Sequence, residues 1–182
     1  MKYDVSLFIR PDVREKYPCF VVVPQAPGAW IGVPIPCDKP IPAPKKIPPS
    51  IALALEILKT VSNEYSVDER RVYLSGASNG ACAVWCLLER EPKPWAAAVP
   101  LSGAGDPSSI AAAHVVPIWV FHGDKDPTIL VERSREMITA LKTAGGTPKY
   151  TEYPGLGHAP AIAKGYTERK LLPWLFEQKL KG

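Results

Sequence analysis

The sequence has no apolar run long enough to cross a bilayer, and its positive charges are not clustered. A membrane-spanning helix needs roughly 18 consecutive apolar residues, and no segment of the 182-residue chain approaches that length. The net charge of +4 comes from 22 basic and 18 acidic side chains spread along the chain, without the basic cluster typical of nucleic-acid binding. The sequence therefore predicts neither membrane insertion nor a nucleic-acid partner.

Cysteine is scarce, and its spacing is not that of a metal or redox site. The four cysteines lack the CxxC pattern that zinc and dithiol sites usually show. Cys82 and Cys86 are four residues apart on a predicted helix, so they share a face, and we expect them to pack as apolar side chains. A disulfide between Cys19 and Cys37 remains open at this point, and no metal site is predicted.

The chain begins without the features of a secretory leader. Its first residues have no basic segment followed by an apolar one, so the sequence as written predicts a cytoplasmic protein. The alternative is the mature portion or an excised domain of an exported protein. A chain of this length fits one hydrophobic core, and we expect residues 1–182 to form a single domain.

Prolines are concentrated in one segment of the chain. Between residues 33 and 49 they remove so many backbone N–H donors that neither a helix nor an interior strand is expected there. The segment is therefore predicted to be a loop. Ser50 has the character of an N-cap for the helix predicted next. The prolines in question are at positions 34, 36, 40, 42, 44, 48 and 49.

The rest of the chain alternates between strand and helix patterns. Strands are predicted over residues 5–9, 19–23, 71–75, 96–101, 117–122 and 150–153. Helices are predicted over residues 51–65, 81–89, 131–143 and 168–180. Such alternation favours an α/β fold with a mostly parallel sheet covered by helices on both faces.

A Gly-x-Ser-x-Gly motif occurs at residues 76–80, between a predicted strand and a predicted helix. This context is typical of a sharp turn that exposes a nucleophilic serine, here Ser78. Small residues are expected at 76 and 80 because a Cβ at either position would collide with neighbouring backbone. The helix that follows directs its free amides toward a developing oxyanion, and the Asn79 N–H is one candidate donor.

A serine hydroxyl needs a base to remove its proton, and the chain has three histidines. His158 lies in a predicted loop between the last strand and the last helix, where such a fold places its base. His122 ends a predicted strand and is expected to be a packed structural residue. His114 follows an alanine-rich stretch and is expected at the surface. His158 is therefore the predicted base.

The acid of such a triad lies between the serine and the histidine in the chain. Asp126 fits this order because it directly follows the strand predicted over 117–122. Asp124 is a competitor, although an aspartate there more often accepts backbone hydrogen bonds within the turn. Asp106, after the preceding strand, is a second rival. We predict Asp126.

Four segments carry a more specific resemblance. Residues 71–80, 119–127, 132–137 and 150–158 resemble the bacterial α/β-hydrolase esterases of the phospholipase/carboxylesterase and predicted-peptidase branch. The likeness extends over most of the chain from about residue 17. It implies an α/β-hydrolase fold, a Ser78–Asp126–His158 triad, a small-molecule ester as substrate and no cofactor.

The resemblance also implies where the remaining site residues lie. In this family the first oxyanion donor comes from the loop after an early strand, which corresponds to the amide of Gln25 or Ala26, paired with that of Asn79. No insertion is long enough for a helical cap, so an open cleft is expected. Trp30 and Asp106 are predicted to flank its mouth, although Trp30 fits equally well as a buried anchor of its loop.

Three functions stay open on the sequence alone. The first is hydrolysis of short-chain or aryl carboxylic esters. The second is feruloyl-type esterase or peptidase activity, because the same triad cleaves amides and bulky esters and pocket shape decides between them. The third is a binding module that keeps the fold without catalysis. The sequence does not indicate an oligomeric state.

Overall fold

The computed structural model describes residues 6–32 and 37–180, and its central feature is a parallel sheet. Within these ranges the sheet has four strands in the order β1-β2-β3-β4. The strands are β1 (Tyr73–Ala77), β2 (Ala97–Leu101), β3 (Trp119–Gly123) and β4 (Lys149–Tyr153). The α-helices are α1 (Pro11–Lys16), α2 (Pro49–Glu64), α3 (Asn79–Arg90), α4 (Val131–Thr143), α5 (His158–Tyr166) and α6 (Leu171–Glu177). Short 3-10 helices occupy Ser6–Ile9, Glu69–Arg71 and Ile110–Val115.

The two inner strands are buried on both faces, as expected for a covered parallel sheet. Every residue of β2 and β3 is buried. Side chains alternate between faces along a strand, so Val120 belongs to a core with α3 and α4, whereas Phe121 belongs to a second core with α5 and α6. The prediction of an α/β sheet with helices on both faces is confirmed.

Residues 37–48 of the proline-rich segment form no helix or named strand, and backbone hydrogen bonds join them to the loops at the carboxyl ends of the strands. The Cys37 N–H donates to the Thr128 carbonyl at 2.8 Å, and the Ile41 N–H donates to the Gly105 carbonyl at 3.1 Å. The Arg90 guanidinium also donates to the carbonyls of Pro44 and Lys45. The following helix α2 begins at Pro49, with Pro48 as its N-cap, so the prediction that Ser50 caps it is wrong.

Two strands predicted near the start are absent from the described residues. Val5 lies outside the described part, and Ser6–Ile9 forms a 3-10 helix. The second predicted strand, 19–23, has no regular structure, and its three valines are 38–41% exposed. A β-branched run favours extended backbone, but it becomes a strand only when another strand pairs with it. Such a partner is not found in the described ranges.

The end of the chain has two helices where one was predicted. The helix predicted over 168–180 is the shorter α6, and α5 precedes it. Helix α5 was missed because Pro160 and Gly165 are poor helix formers. Pro160 is the third residue of α5, and a proline is tolerated in the first turn because its missing N–H has no partner within the helix.

The cysteines are free thiols. Cys82 and Cys86 are buried in α3, and burial raises the pKa of the Cys82 thiol to about 12, which suits a neutral packing residue. Cys19 is exposed and Cys37 is buried. The disulfide left open by the sequence is therefore not formed.

Glu89 on α3 makes the stability of the fold depend on pH. Burial raises the pKa of its carboxyl group to about 7 from an ordinary value of 4.5, although the Asp106 N–H donates to it at 2.7 Å. A raised pKa means that the folded state holds a proton that the unfolded chain releases. The stabilisation is complete below about pH 4.5 and is lost as the pH rises through about 7.

We therefore expect E89Q to be more stable than the wild type at pH 8 by on the order of 1–3 kcal/mol, with a smaller difference near pH 5. Gln keeps the oxygen that accepts the Asp106 N–H but never becomes charged. Urea unfolding at both pH values measures this. E91Q, at an exposed glutamate after the same helix, is the matched control. Equal pH dependence of E89Q and the wild type would contradict the assignment.

Candidate active site

Ser78 occupies the sharp turn between β1 and α3. Its backbone has φ 56° and ψ −122°, a conformation that costs energy for a residue with a Cβ. A Cβ at Gly76 would collide with the carbonyl of Gly80, so this glycine is required for the turn. A Cβ at Gly80 would meet nothing. The expectation of a collision was right for Gly76 and wrong for Gly80.

Three distant residues form one chain of hydrogen bonds at the end of the sheet. The Nε2 atom of His158 lies 2.8 Å from the Oγ atom of Ser78, and the Nδ1 atom lies 2.6 Å from Oδ2 of Asp126. They follow β1, β3 and β4, whose carboxyl ends lie at the same edge because the strands are parallel. His158 is the first residue of α5, with Gly157 as the N-cap, so its predicted position in a loop is wrong although its role as partner of Ser78 fits.

Asp126 is held as a buried carboxylate. It is 4% exposed, and its Oδ1 atom accepts the N–H groups of Thr128 and Ile129 at 2.9 and 3.0 Å. Burial alone would raise the pKa of Asp126, but hydrogen bonds from His122, His158 and these two amides outweigh it and hold the pKa well below its usual range. The group is therefore ionised at neutral pH.

The charge of Asp126 determines which ring nitrogen of His158 carries the proton. A carboxylate only accepts hydrogen bonds, so Nδ1 of His158 is the donor in the 2.6 Å contact. In the neutral ring Nε2 is then unprotonated, and it accepts the Ser78 hydroxyl at 2.8 Å. The arrangement is suited to taking a proton from Ser78.

The rival residues lie elsewhere or make other contacts. Asp124 accepts the Gly155 N–H at 2.6 Å. His114 is exposed and lies 2.9 Å from the Ala111 carbonyl. Asp106 accepts hydrogen bonds from the backbone of Ala43 and from Ser108 and Ser109. Its carboxylate therefore fastens the proline-rich loop and is not part of the cleft wall, contrary to its predicted place at the mouth.

A large cleft opens beside Ser78. Its volume is about 1590 Å³, above the range of roughly 300–1,000 Å³ that is usual for small-molecule sites. Gln25, Ala26, Trp30 and Asn79 all contribute to its wall. Trp30 also packs against the core beside α3, so both expectations for this residue describe part of its environment. The cleft passes between the segment 17–30 and β1.

The Asn79 side chain fixes the loop that carries Trp30. Its Oδ1 atom accepts the Trp30 N–H at 2.6 Å, and its Nδ2 atom donates to the Ile31 carbonyl at 3.1 Å. Asn79 is the first residue of α3, and the first amides of a helix have no acceptor within it. The residue therefore combines a backbone N–H that has no acceptor within α3 with a side chain that positions the cleft wall.

Sequence reasoning missed the hydrogen bonds of two residues. The side chain of Asn79 bonds to Trp30 and Ile31, which lie 49 and 48 positions earlier in the chain. No local sequence pattern indicates such a contact. His122 is fully buried and lies 3.2 Å from Asp126 through its Nε2 atom. The spacing of four residues between a histidine and an aspartate was the only available signal for this contact.

Across residues 6–32 and 37–180, no helix is both long and apolar enough to cross a membrane. The same residues contain no group of three or more His, Cys, Asp or Glu side chains arranged to hold a metal ion.

Known proteins resemble this chain in sequence and in fold. Residues 45–163 match the family model described as phospholipase/carboxylesterase. The carboxylesterase SOBER1 of Arabidopsis thaliana is 28% identical over 141 residues, which is 69% of this chain and 60% of that protein. A bifunctional acetylxylan esterase/xylanase, XynS20E of Neocallimastix patriciarum, is 32% identical over 74 residues, 41% of this chain and 11% of that protein.

The solved structures agree with this assignment. The crystal structure of a thermostable esterase superposes with a TM-score of 0.85 at 31% identity, covering 96% of this chain and 48% of that one. The chain thus spans about half of that esterase and 60% of SOBER1. A match over more than half of the chain, on an α/β-hydrolase fold, shows that this protein belongs to the phospholipase/carboxylesterase family.

Proposed function

We propose that this protein hydrolyses carboxylic esters, with Ser78 as nucleophile, His158 as general base and acid, and Asp126 as the carboxylate that orients and stabilises the imidazolium. The observation that carries the proposal is the continuous set of hydrogen bonds from Ser78 Oγ through His158 to Asp126, at 2.8 and 2.6 Å. These distances are within the range for proton transfer from a nucleophile to its base.

The reaction proceeds in two halves. Ser78 Oγ forms a bond to the carbonyl carbon while His158 Nε2 takes the hydroxyl proton. His158 then gives this proton to the departing alkoxide, so that the alcohol leaves and an acyl-serine remains. A water molecule loses a proton to His158 and attacks the acyl group, and the same proton returns to Ser78 as the carboxylic acid departs.

The oxyanion is proposed to be held by two backbone amides. One is the N–H of Asn79, at the positive end of α3. The second is the N–H of Gln25 or Ala26, both of which face the same cleft as Ser78. The Asn79 side chain supports this arrangement because it fastens Trp30 and Ile31, which continue the chain from that segment.

The preferred substrates are proposed to be short-chain or aryl esters. The cleft beside Ser78 is wide, and its wall includes the exposed apolar side chains of Phe20, Val21, Val22 and Val23. Apolar surface of this kind accommodates an alkyl or aryl group without requiring a charged partner. A feruloyl-type ester or a peptide uses the same triad, so the ratio of rates on aryl acetates, feruloyl esters and peptide amides distinguishes these functions.

Reaction with a fluorophosphonate tests the proposal directly. We expect the wild-type chain to gain one phosphonate on Ser78, because the activated hydroxyl displaces fluoride from phosphorus. Intact-mass spectrometry and peptide mapping measure the adduct. S102A is a matched control that should be labelled as the wild type is. Ser102 is a buried serine that follows β2, and it is not expected to carry the phosphonate. A chain that stays unlabelled while folded would favour the non-catalytic binding module.

A further inference from the structure

We propose that His122, fixed by Ser134, is a positioning residue that holds the Asp126 carboxylate in line with His158. This inference rests on the proposed esterase function. It concerns a buried imidazole to which the catalytic steps above assign no role, and which the sequence suggested to be a packing residue.

His122 has polar partners on every hydrogen-bonding position of its ring. Its Nδ1 atom lies 2.7 Å from the Ser134 hydroxyl. Its Nε2 atom lies 2.9 Å from the Ile129 carbonyl and 3.2 Å from Oδ2 of Asp126. The side chain is completely buried, as is Ser134 on α4. A ring needed only to fill space would not require three such contacts in the core.

The acceptors determine the direction of each hydrogen bond. A carbonyl oxygen and a carboxylate can only accept, so Nε2 of His122 carries a proton and is shared between Ile129 and Asp126. In the neutral ring Nδ1 then accepts, and the Ser134 hydroxyl is its donor. The two acceptors therefore set the tautomer of His122, and the Ser134 hydroxyl, which can donate to Nδ1, anchors the ring in the orientation that presents the Nε2–H to Asp126.

The contact falls on the oxygen that matters for catalysis. Oδ2 of Asp126 accepts from Nδ1 of His158 and lies 3.2 Å from Nε2 of His122, whereas Oδ1 is occupied by the amides of Thr128 and Ile129. The two amides fix one oxygen, and His122 fixes the rotation that places the other oxygen against His158. The amide bonds to Oδ1 and the contact of His122 with Oδ2 both stabilise the charged form of Asp126. This charged carboxylate is the form that accepts from Nδ1 of His158 and so orients Nε2 toward Ser78.

Two substitutions separate this role from simple packing. Gln at 122 can place its amide nitrogen near the position of Nε2, whereas Asn can reach only the position of Nδ1. We expect H122N to lower kcat by on the order of tenfold to a hundredfold with little change in KM, the scale on which small displacement of a catalytic group acts. H122Q should keep kcat within about threefold of the wild type, by the same reasoning about position.

The measurements are steady-state kinetics on p-nitrophenyl acetate and thermal melting of each variant. A packing role would lower kcat only in proportion to lost stability, and would treat both substitutions alike. Equal kcat values for H122N and H122Q at equal melting temperature would overturn the proposal. S134A, which removes only the donor to Nδ1, should lower kcat by about twofold to fivefold, and an unchanged kcat in both S134A and H122N would also overturn it.

A spectroscopic readout keeps the test independent of turnover and of whether H122N folds. The proton between His158 Nδ1 and Asp126 should give a far-downfield signal in the nuclear magnetic resonance spectrum of the wild type. S134A should shift this signal because it alters the donor from His122 to the shared oxygen, and an unmoved signal would contradict the proposal. If the wild type shows no Ser78-dependent turnover, the esterase proposal fails, while this signal still tests the contact.

Discussion

S78A should lose essentially all esterase turnover, with kcat reduced by roughly 10⁴ to 10⁶. The substitution removes the only atom that can form the acyl intermediate, while the Asn79 amide and the cleft remain. Residual hydrolysis would come from the oxyanion donors and from substrate binding alone. Initial rates on p-nitrophenyl acetate measure the effect, with the melting temperature confirming that the variant is folded.

Ser75 provides a matched control for this variant. It lies on β1, three residues before Ser78, and its hydroxyl donates to the Val99 carbonyl at 3.1 Å. S75A removes a hydroxyl from the same strand without touching the triad, so its kcat should stay within a few fold of the wild type. If S78A retained near-full activity, the nucleophile would have to be another group and the proposed mechanism would fail.

D126N should lower kcat by about 10⁴ while leaving the fold intact, the size of effect seen when a triad acid becomes an amide. The Asn oxygen can still accept the amides of Thr128 and Ile129, which hold Oδ1 at present. Its NH₂ group then replaces Oδ2 and faces the ring N–H of His158. Two donors repel each other, so the proton of His158 moves to Nε2, which can no longer accept from Ser78.

D124N is the control for this second variant. Asp124 belongs to the same loop and accepts the Gly155 N–H at 2.6 Å, whereas Nδ1 of His158 is bonded to Asp126 and Nε2 to Ser78. Its amide should preserve both the loop and turnover to within a few fold. Comparable losses in D124N and D126N would indicate that the loop as a whole matters, and would remove Asp126 from its proposed role.

The parts of the fold that local pattern decides were predictable from the sequence. Helix α4 begins and ends where the periodicity and the glycines after it indicated, and the buried strands β2 and β3 have the apolar runs that such strands require. The elements near the start were not predictable, because residues 19–23 have strand character but lack a neighbour among the described residues. Helix α5 was missed since its weak formers are compensated by packing of Ile162 and Tyr166 in the core.

The residues of the candidate site also differ in whether a local sequence pattern indicates them. Ser78 has a local motif, and chain order restricts the acid and the base to few residues, so these three positions could be proposed as a triad without coordinates. The hydrogen bond from His122 and the tether made by Asn79 depend on residues that only tertiary structure brings together. Asp106 was misplaced for the same reason, because its loop position gave no sign of its bond to Ala43.

Among the described residues, the strand that leads to Ser78 has a neighbouring strand on one side only. Just after β1, the Ser78 N–H donates to the Leu101 carbonyl of β2. Backbone groups alternate in direction along a strand, so the even-numbered residues of β1 also direct theirs toward β2. The backbone groups of Tyr73, Ser75 and Ala77 therefore point away from β2. In the described ranges β1 has no strand on that side. Local opening of a protein begins where few backbone bonds must break. A group that fills the cleft along this side of β1 is therefore expected to stiffen the turn that carries Ser78 as well as to contact it.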